Sequence, residues 1–228
     1  MNAKHTTLIS IGLFVLLWGS AAIFTKWGLQ HSDIIPFLFF RFLIATALIL
    51  AFCMWKKLPF LPQNTSWKYV ALSGLFLISG YTLFYYLSLK LGIAPGLLAT
   101  ILALQPIITF FVTEKTYSPL KLTGLVLSFV GIILLVYHNI FVNQLSLWAT
   151  FASLFCLFCI TTGAILQRKI AEKPWQILPL QYVLSLIIFL FIIPFQPFHF
   201  EMNIGFWIPT LYQGIVISVV AQLIFYRL

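Results

Sequence analysis

Chemistry in a protein needs groups that ionise, ligate or attack, and this chain supplies few of them. Its four carboxylates, Asp33, Glu114, Glu172 and Glu201, fall in loops or at the ends of apolar runs. None stands at mid-depth, where a proton relay across a bilayer usually needs one. His5, His31, His138 and His199 are equally peripheral. Cys156 and Cys159 form a C-x-x-C, but the pair lies inside an apolar run, whereas redox pairs of this type need a partly exposed, electropositive setting. With Cys53 they read as small buried hydrophobes and not as a disulfide framework. No G-x-S-x-G, H-E-x-x-H or mid-run pair of carboxylates is present, so the sequence predicts no catalytic residue, no metal site and no cofactor. Arg41 is the exception, an ionisable group well inside an apolar run, where a charge costs from about 2.5 kcal/mol upward. It needs a partner or water. It reads as a contact for an anionic substrate group or a gate, or else as a structural arginine bonded to helix-end carbonyls or snorkelling.

The elements that must position these groups follow from composition. Of 228 residues 62% are hydrophobic and 7% charged, and the mean hydropathy is +1.06. Soluble domains carry about 25% charged residues, so the main solvent of this chain is the lipid bilayer. A net charge of +9 would point to nucleic acid in a soluble protein. Here the informative variable is where the cations sit along the membrane normal, and no nucleic-acid partner is expected.

A crossing helix uses roughly 20 residues. Apolar runs bounded by charge, proline or polar clusters predict eight of them, at 7–29, 33–54, 67–89, 92–113, 119–137, 145–167, 175–194 and 205–227. The first run is too long for the apolar core of a secretory signal and reads as a retained span. With the amino terminus in the cytoplasm, Lys4, Lys56, Lys57, Lys68, Lys115, Lys121, Arg168, Lys169, Lys173 and Arg227 lie inside, against Lys26 and Lys90 outside. That asymmetry is the one cytoplasmic loops show. Short loops and no apparent organelle presequence predict a multi-pass protein of a bacterial inner membrane. Trp55, Trp67, Tyr137, Trp148 and Trp175 near predicted helix ends read as interfacial anchors.

The chain also repeats itself. Ser20 to Lys26, closing helix 1, resembles Thr162 to Arg168, closing helix 6; helix 3 from Gly74 to Tyr86 parallels helix 8 from Gly214 to Tyr226. Equivalent helices are five spans apart. An odd repeat length makes the second copy enter the bilayer from the opposite side, which is an inverted repeat. The expected units are 1–140, with five helices, and 141–228, with three.

Trp18-Gly19-Ser20, Phe40-Arg41-Phe42, Tyr85-Tyr86-x-x-Leu89, the run from Ala94 through Gln105-Pro106, Glu114-Lys115, Leu122-x-Gly124 and Gly131 together resemble the EamA-type transporters of the drug/metabolite transporter superfamily. The resemblance covers nearly the whole chain. It implies an all-α polytopic membrane protein built from two inverted five-helix units, of which eight of ten helices are present. It also implies alternating-access transport, most simply efflux, of small metabolites, amino acids or amphipathic compounds. A truncated fragment that does not transport is the alternative, and a membrane-embedded enzyme a more remote one.

Polar and aromatic groups at mid-depth mark the candidate substrate cavity: Trp18 and Ser20 on helix 1, Tyr81 and Tyr85 on helix 3, Gln105 on helix 4, Thr162 on helix 6 and Gln222 on helix 8. Tyr81 and Tyr85 are one turn apart and share a face. The resemblance implies a cavity lined by the same helices. Aromatics, hydroxyls and amides without paired charges suit an amphipathic or zwitterionic small molecule. Pro106 is expected to kink its span beside the cavity, Glu114 and Lys115 to form an ion pair or gate at the inner end of helix 4, and Gly124 and Gly131 to allow close packing on one face of helix 5. Oligomeric state is left open.

Overall fold

A computed structural model describes residues 3–113, 119–141 and 146–225 of the chain. In hydrocarbon every backbone N–H and C=O must be satisfied inside its own segment, and among the described residues the chain answers with helices and no sheet. They are α1 (Ala3–Gly28), α2 (Ile34–Trp55), α3 (Trp67–Gly74), α4 (Tyr81–Lys90), α5 (Pro95–Leu102), α6 (Gln105–Thr113), α7 (Pro119–Phe141), α8 (Leu147–Gln167), α9 (Pro174–Ile192), α10 (Ile204–Leu211) and α11 (Gln222–Phe225). Two π-helical stretches, Leu75–Gly80 and Tyr212–Ala221, join α3 to α4 and α10 to α11 into the third and eighth spans. Proline opens α5, α7 and α9, where its missing N–H is harmless. Gly92, at φ +98°, turns the chain between the third and fourth spans in a conformation that glycine alone adopts freely.

Among the described residues seven helices, counting the joined ones as single spans, are long and apolar enough to cross a membrane. With α7, 23 residues long, they stand where the eight apolar runs were read. The loop contacts test that number. Glu172, between the sixth and seventh spans, accepts hydrogen bonds from the backbone N–H of Gln63, Asn64 and Thr65, between the second and third. His31, between the first and second, bonds Glu201, between the seventh and eighth. Bonded loops lie on one side of the bilayer, so an even number of crossings separates each pair, and both counts are even only when α7 crosses too.

The chain divides into two compact units. The first joins residues 1–74 and 170–228. In it α2 packs on α9 and on the Tyr212–Ala221 stretch, α1 runs along α10 and the same stretch, and α3 meets α9. Its core is aromatic: Phe37, Phe42, Phe189 and Phe206 are fully buried, and Phe42 stacks on Phe189 with centroids 5.6 Å apart. The second unit, residues 75–169, is built around α8, which packs on α4, on the Leu75–Gly80 stretch, and on α5 and α6. Cys156 and Cys159 are free and buried there, as is Cys53 in the first unit.

This packing maps onto itself when the first, second and third spans are exchanged with the sixth, seventh and eighth. The third span packs on the sixth as the eighth packs on the first, and the second meets the eighth as the seventh meets the third. The correspondence reaches single residues. A Cβ on Gly74 would stand 2.7 Å from the Gln181 side chain, and one on Gly214 would stand 3.1 Å from the carbonyl oxygen of Arg41. Gly214 follows Gly74 by 140 positions, and Gln181 follows Arg41 by the same 140. The compact units are set by packing, and each draws residues from both sides of the expected repeat boundary at 140.

Expectations for two glycines need correcting. Gly124 and Gly131 are exposed, with nothing among the described residues within 4 Å of an added Cβ, so no described helix packs closely there. Close packing falls instead on Gly163, whose added Cβ would stand 2.5 Å from the backbone nitrogen of Leu77. Glu114 and Lys115 lie outside the described residues.

Candidate functional site

The first compact unit carries a polar and aromatic strip along α1 and the eighth span. Ser20 and Tyr212 bring their hydroxyl oxygens to 2.6 Å. Ser20 donates its proton to the carbonyl of Leu17 at 2.7 Å, so Tyr212 is the donor between the two hydroxyls. The pair therefore keeps lone pairs free to accept, with no proton left to give. Phe24 stacks on Tyr212 with centroids 3.8 Å apart; Phe14 lies against both Trp18 and Phe225. Trp18 is exposed and Ser20 and Tyr212 half-buried, so this is a surface that a molecule or lipid can reach. Gln222 sits at the start of α11, half-buried, just beyond the π-helical stretch.

Behind the strip lies a buried network. Gln213 donates through its amide nitrogen to the Ala21 carbonyl and the Thr25 hydroxyl, both at 2.7 Å, tying the eighth span to the first. Arg41 is buried, donates from Nε to the Ser218 hydroxyl at 3.0 Å and lies 5.3 Å from the centroid of Phe42. Ser218 in turn donates to the carbonyl of Gln213, and Tyr182 donates its hydroxyl proton to the carbonyl of Ser218. A π-helical register shifts the backbone bonds by one residue, and these side chains serve carbonyls of that stretch. Arg41 thus reaches a hydroxyl that is itself tied to this stretch, whereas the structural role expected of it is a bond to helix-end carbonyls.

In the second unit Tyr81 and Tyr85 lie on one face of α4 with ring centroids 5.6 Å apart, both half-buried, and the Tyr81 carbonyl accepts from the Cys156 thiol. The fourth span is broken rather than gently kinked: α5 ends at Leu102 and α6 begins at Gln105, with Pro106 second in it. Proline has no N–H to give the carbonyl four residues back and its ring crowds it, so the helix interrupts there. Gln105 and Thr162 are half-buried. One turn beyond Gln105 the hydroxyl of Thr109 is buried without a hydrogen-bond partner among the described residues, and so is that of Thr161, beside Thr162. Sequence reasoning passed over both, although their spacing from Gln105 and Thr162 was the available signal. Near the end of α6, Arg168 donates to the Thr113 hydroxyl at 3.2 Å.

The structure thus groups Ser20 with Tyr212, which the sequence reading missed, and Tyr81 with Tyr85, whereas Trp18 meets Phe14. Two loop carboxylates also have roles the sequence did not disclose. Glu201 is held below its ordinary value by hydrogen bonds from His31 at 2.6 Å and from Asn203. Glu172 is held low by the three backbone N–H groups it accepts, Asn64 first. Among the described residues no group of three His, Cys, Asp or Glu side chains is placed to hold a metal ion.

Comparison with known proteins gives three findings. The sequence pattern of the EamA-like transporter family matches residues 5–137. An "uncharacterized transporter" of Archaeoglobus fulgidus is 32% identical over 140 residues, 60% of this chain and 47% of that protein. A "probable amino-acid metabolite efflux pump" of Salmonella typhimurium is 24% identical over 190 residues, 82% of this chain and 60% of that protein. The chain therefore spans about half to three fifths of the length of these relatives. No solved structure matches it.

Proposed function

The chain belongs to the EamA-like transporter family, and we propose that it carries a small amphipathic or zwitterionic metabolite, amino acids included, outward across a bacterial inner membrane by alternating access. The observation that supports the mechanism is that Gly74 lies against Gln181 and Gly214 against Arg41, positions related by the same 140 residues, as two copies of one unit would place them. Two such copies can trade conformations, and that trade exposes a site first to one side and then to the other. The family supports transport, and the name of the Salmonella relative is what suggests the solute class and the direction.

The Ser20–Tyr212 pair is the proposed solute contact. Its free lone pairs accept from an ammonium or amide N–H, while Phe24, stacked on Tyr212, offers an apolar, aromatic face. No carboxylate is needed. A hydrogen bond to a charged group is worth about 1.5 to 3 kcal/mol, which is roughly ten- to a hundredfold in affinity. Tyr212→Phe keeps the ring and removes the oxygen. Counterflow of labelled amino acids in proteoliposomes is expected to show KM raised about tenfold or more, with the maximal rate nearly kept. Unchanged KM in both Tyr212→Phe and Ser20→Ala would remove this assignment.

The same proposal places the amino terminus in the cytoplasm. The loops joined through Glu172 hold Lys56, Lys57 and Lys173, with Lys68 in the first turn of α3, whereas the loops joined through Glu201 hold Asp33, His31 and His199. A reporter enzyme fused after Lys57 is expected to report cytoplasm and one fused after Gly92 the exterior; the reverse pattern would invert the proposed orientation.

A further inference from the structure

We propose that the face where the ends of α2, α3 and α9 converge is a binding surface for anionic phospholipid headgroups. All three ends belong to the first compact unit. The Cys53 thiol of α2 donates to the carbonyl of Trp175 in α9, and Val70 of α3 packs with Ile170 and Ile177 in one buried cluster. Four lysines surround this junction: Lys56 and Lys57 after α2, Lys68 in the first turn of α3, and Lys173 immediately before α9. Three of them lie beside a tryptophan ring. The Nζ of Lys56 is 4.1 Å from the centroid of Trp55, that of Lys173 is 5.5 Å from Trp175, and that of Lys68 is 5.9 Å from Trp67. Tryptophan settles at the level of lipid headgroups, so these ammonium groups are held at that level too. Trp55 and Trp67 are 75% and 59% exposed, open to lipid.

Among the described residues no ion pair answers this charge. The carboxylate nearest in the chain, Glu172, is occupied by the N–H groups of Gln63, Asn64 and Thr65. Among the described residues no carboxylate lies within ion-pair distance of the four lysines. Their positions are also ones that local energetics disfavours. Lys68 and Lys173 stand at helix amino ends, where the macrodipole repels cations and where neither first turn contains an acid. Lys57 holds φ +51°, a backbone conformation that helices usually assign to glycine at their carboxyl end. Cations kept in such places gain from a counter-charge outside the protein, and at headgroup depth the anion available is a phospholipid phosphate.

The test is native mass spectrometry of the full chain released from nanodiscs of equal phosphatidylglycerol and phosphatidylcholine. A lysine near an anionic surface changes lipid partitioning roughly fivefold. The wild type is therefore expected to retain phosphatidylglycerol preferentially, and K56Q/K57Q/K68Q/K173Q to lose that preference at least tenfold. K26Q/K90Q, at the other membrane face, should leave it intact. If the quadruple variant fails to insert, K56Q/K57Q and a high-salt arm on the wild type must each lower the preference. No preference in the wild type, full preference in the lysine variants, equal loss in K26Q/K90Q, or displacement of the lipid by millimolar inorganic phosphate would each overturn the proposal.

Discussion

At Glu172 a single oxygen accepts three backbone N–H groups, at 3.0, 2.5 and 3.0 Å. Hydrogen bonds to the charged form favour ionisation, so the folded protein holds this carboxyl below its usual value near 4.5. A group depressed on folding stabilises the fold above its unfolded value and loses that contribution as pH falls through the folded one. Hydrogen-exchange protection of residues 63–65 should therefore stay level from neutral pH down to about 4.5 and drop only below it. Glu172→Gln should show lower protection at neutral pH and no such step. Glu201 obeys the same sign through His31 and Asn203. These carboxylates read as loop groups in the sequence, and they are; their partners, more than 100 residues away at Glu172, were not readable because nothing local specifies them.

At the scale of the element, what separates one glycine from another is the distance to the next helix. A Cβ at Gly163 meets the nitrogen and Cα of Leu77 at 2.5 and 2.6 Å, and backbone atoms cannot step aside as a side-chain end can. Overpacking of this kind costs about 1 to 3 kcal/mol. No described residue comes within 4 Å of a Cβ at Gly131, and glycine inside a helix gives up about 1 kcal/mol relative to alanine. Thermal unfolding in detergent should therefore show Gly163→Ala melting lower than the wild type, and Gly131→Ala melting at the same temperature or higher. Both positions look alike as sequence. The break in the fourth span was partly legible, since Pro106 signals it, but the two-residue interruption before Gln105 depends on how α5 and α6 settle against α8.

For the whole molecule, alternating access requires each membrane face to open in turn. The loop between the first and second spans and the loop between the seventh and eighth are joined by an antiparallel bridge, Ser32 to Phe200. It is flanked by bonds from Asp33 N–H to the His199 carbonyl and from Glu201 N–H to the His31 carbonyl, both 2.9 Å. This is the non-hydrogen-bonded type of pair, with Cα atoms about 4.5 Å apart, a separation a disulfide tolerates. Ser32→Cys with Phe200→Cys should therefore cross-link on mild oxidation without unfolding the protein. If this face parts during the cycle, the oxidised variant stops transporting and recovers with reductant. Undiminished transport in the cross-linked form would show that these loops stay joined throughout.

The spans and their limits to within a few residues follow from the sequence alone, because burial in lipid demands apolar runs and helices wherever they occur. Tyr81 and Tyr85 share a face for the equally local reason that four residues make about one turn. Only the tertiary structure decided which residues meet across the chain. Ser20 pairs with Tyr212 at a separation of 192 residues, Gln213 with Thr25 at 188, and Arg41 with Ser218 at 177. Hydropathy records that a side chain is polar and deep in the membrane, but any deep hydroxyl or amide would satisfy it. The choice among partners is made by helix packing, and glycines 74, 163 and 214 set the approach that brings the chosen ones together.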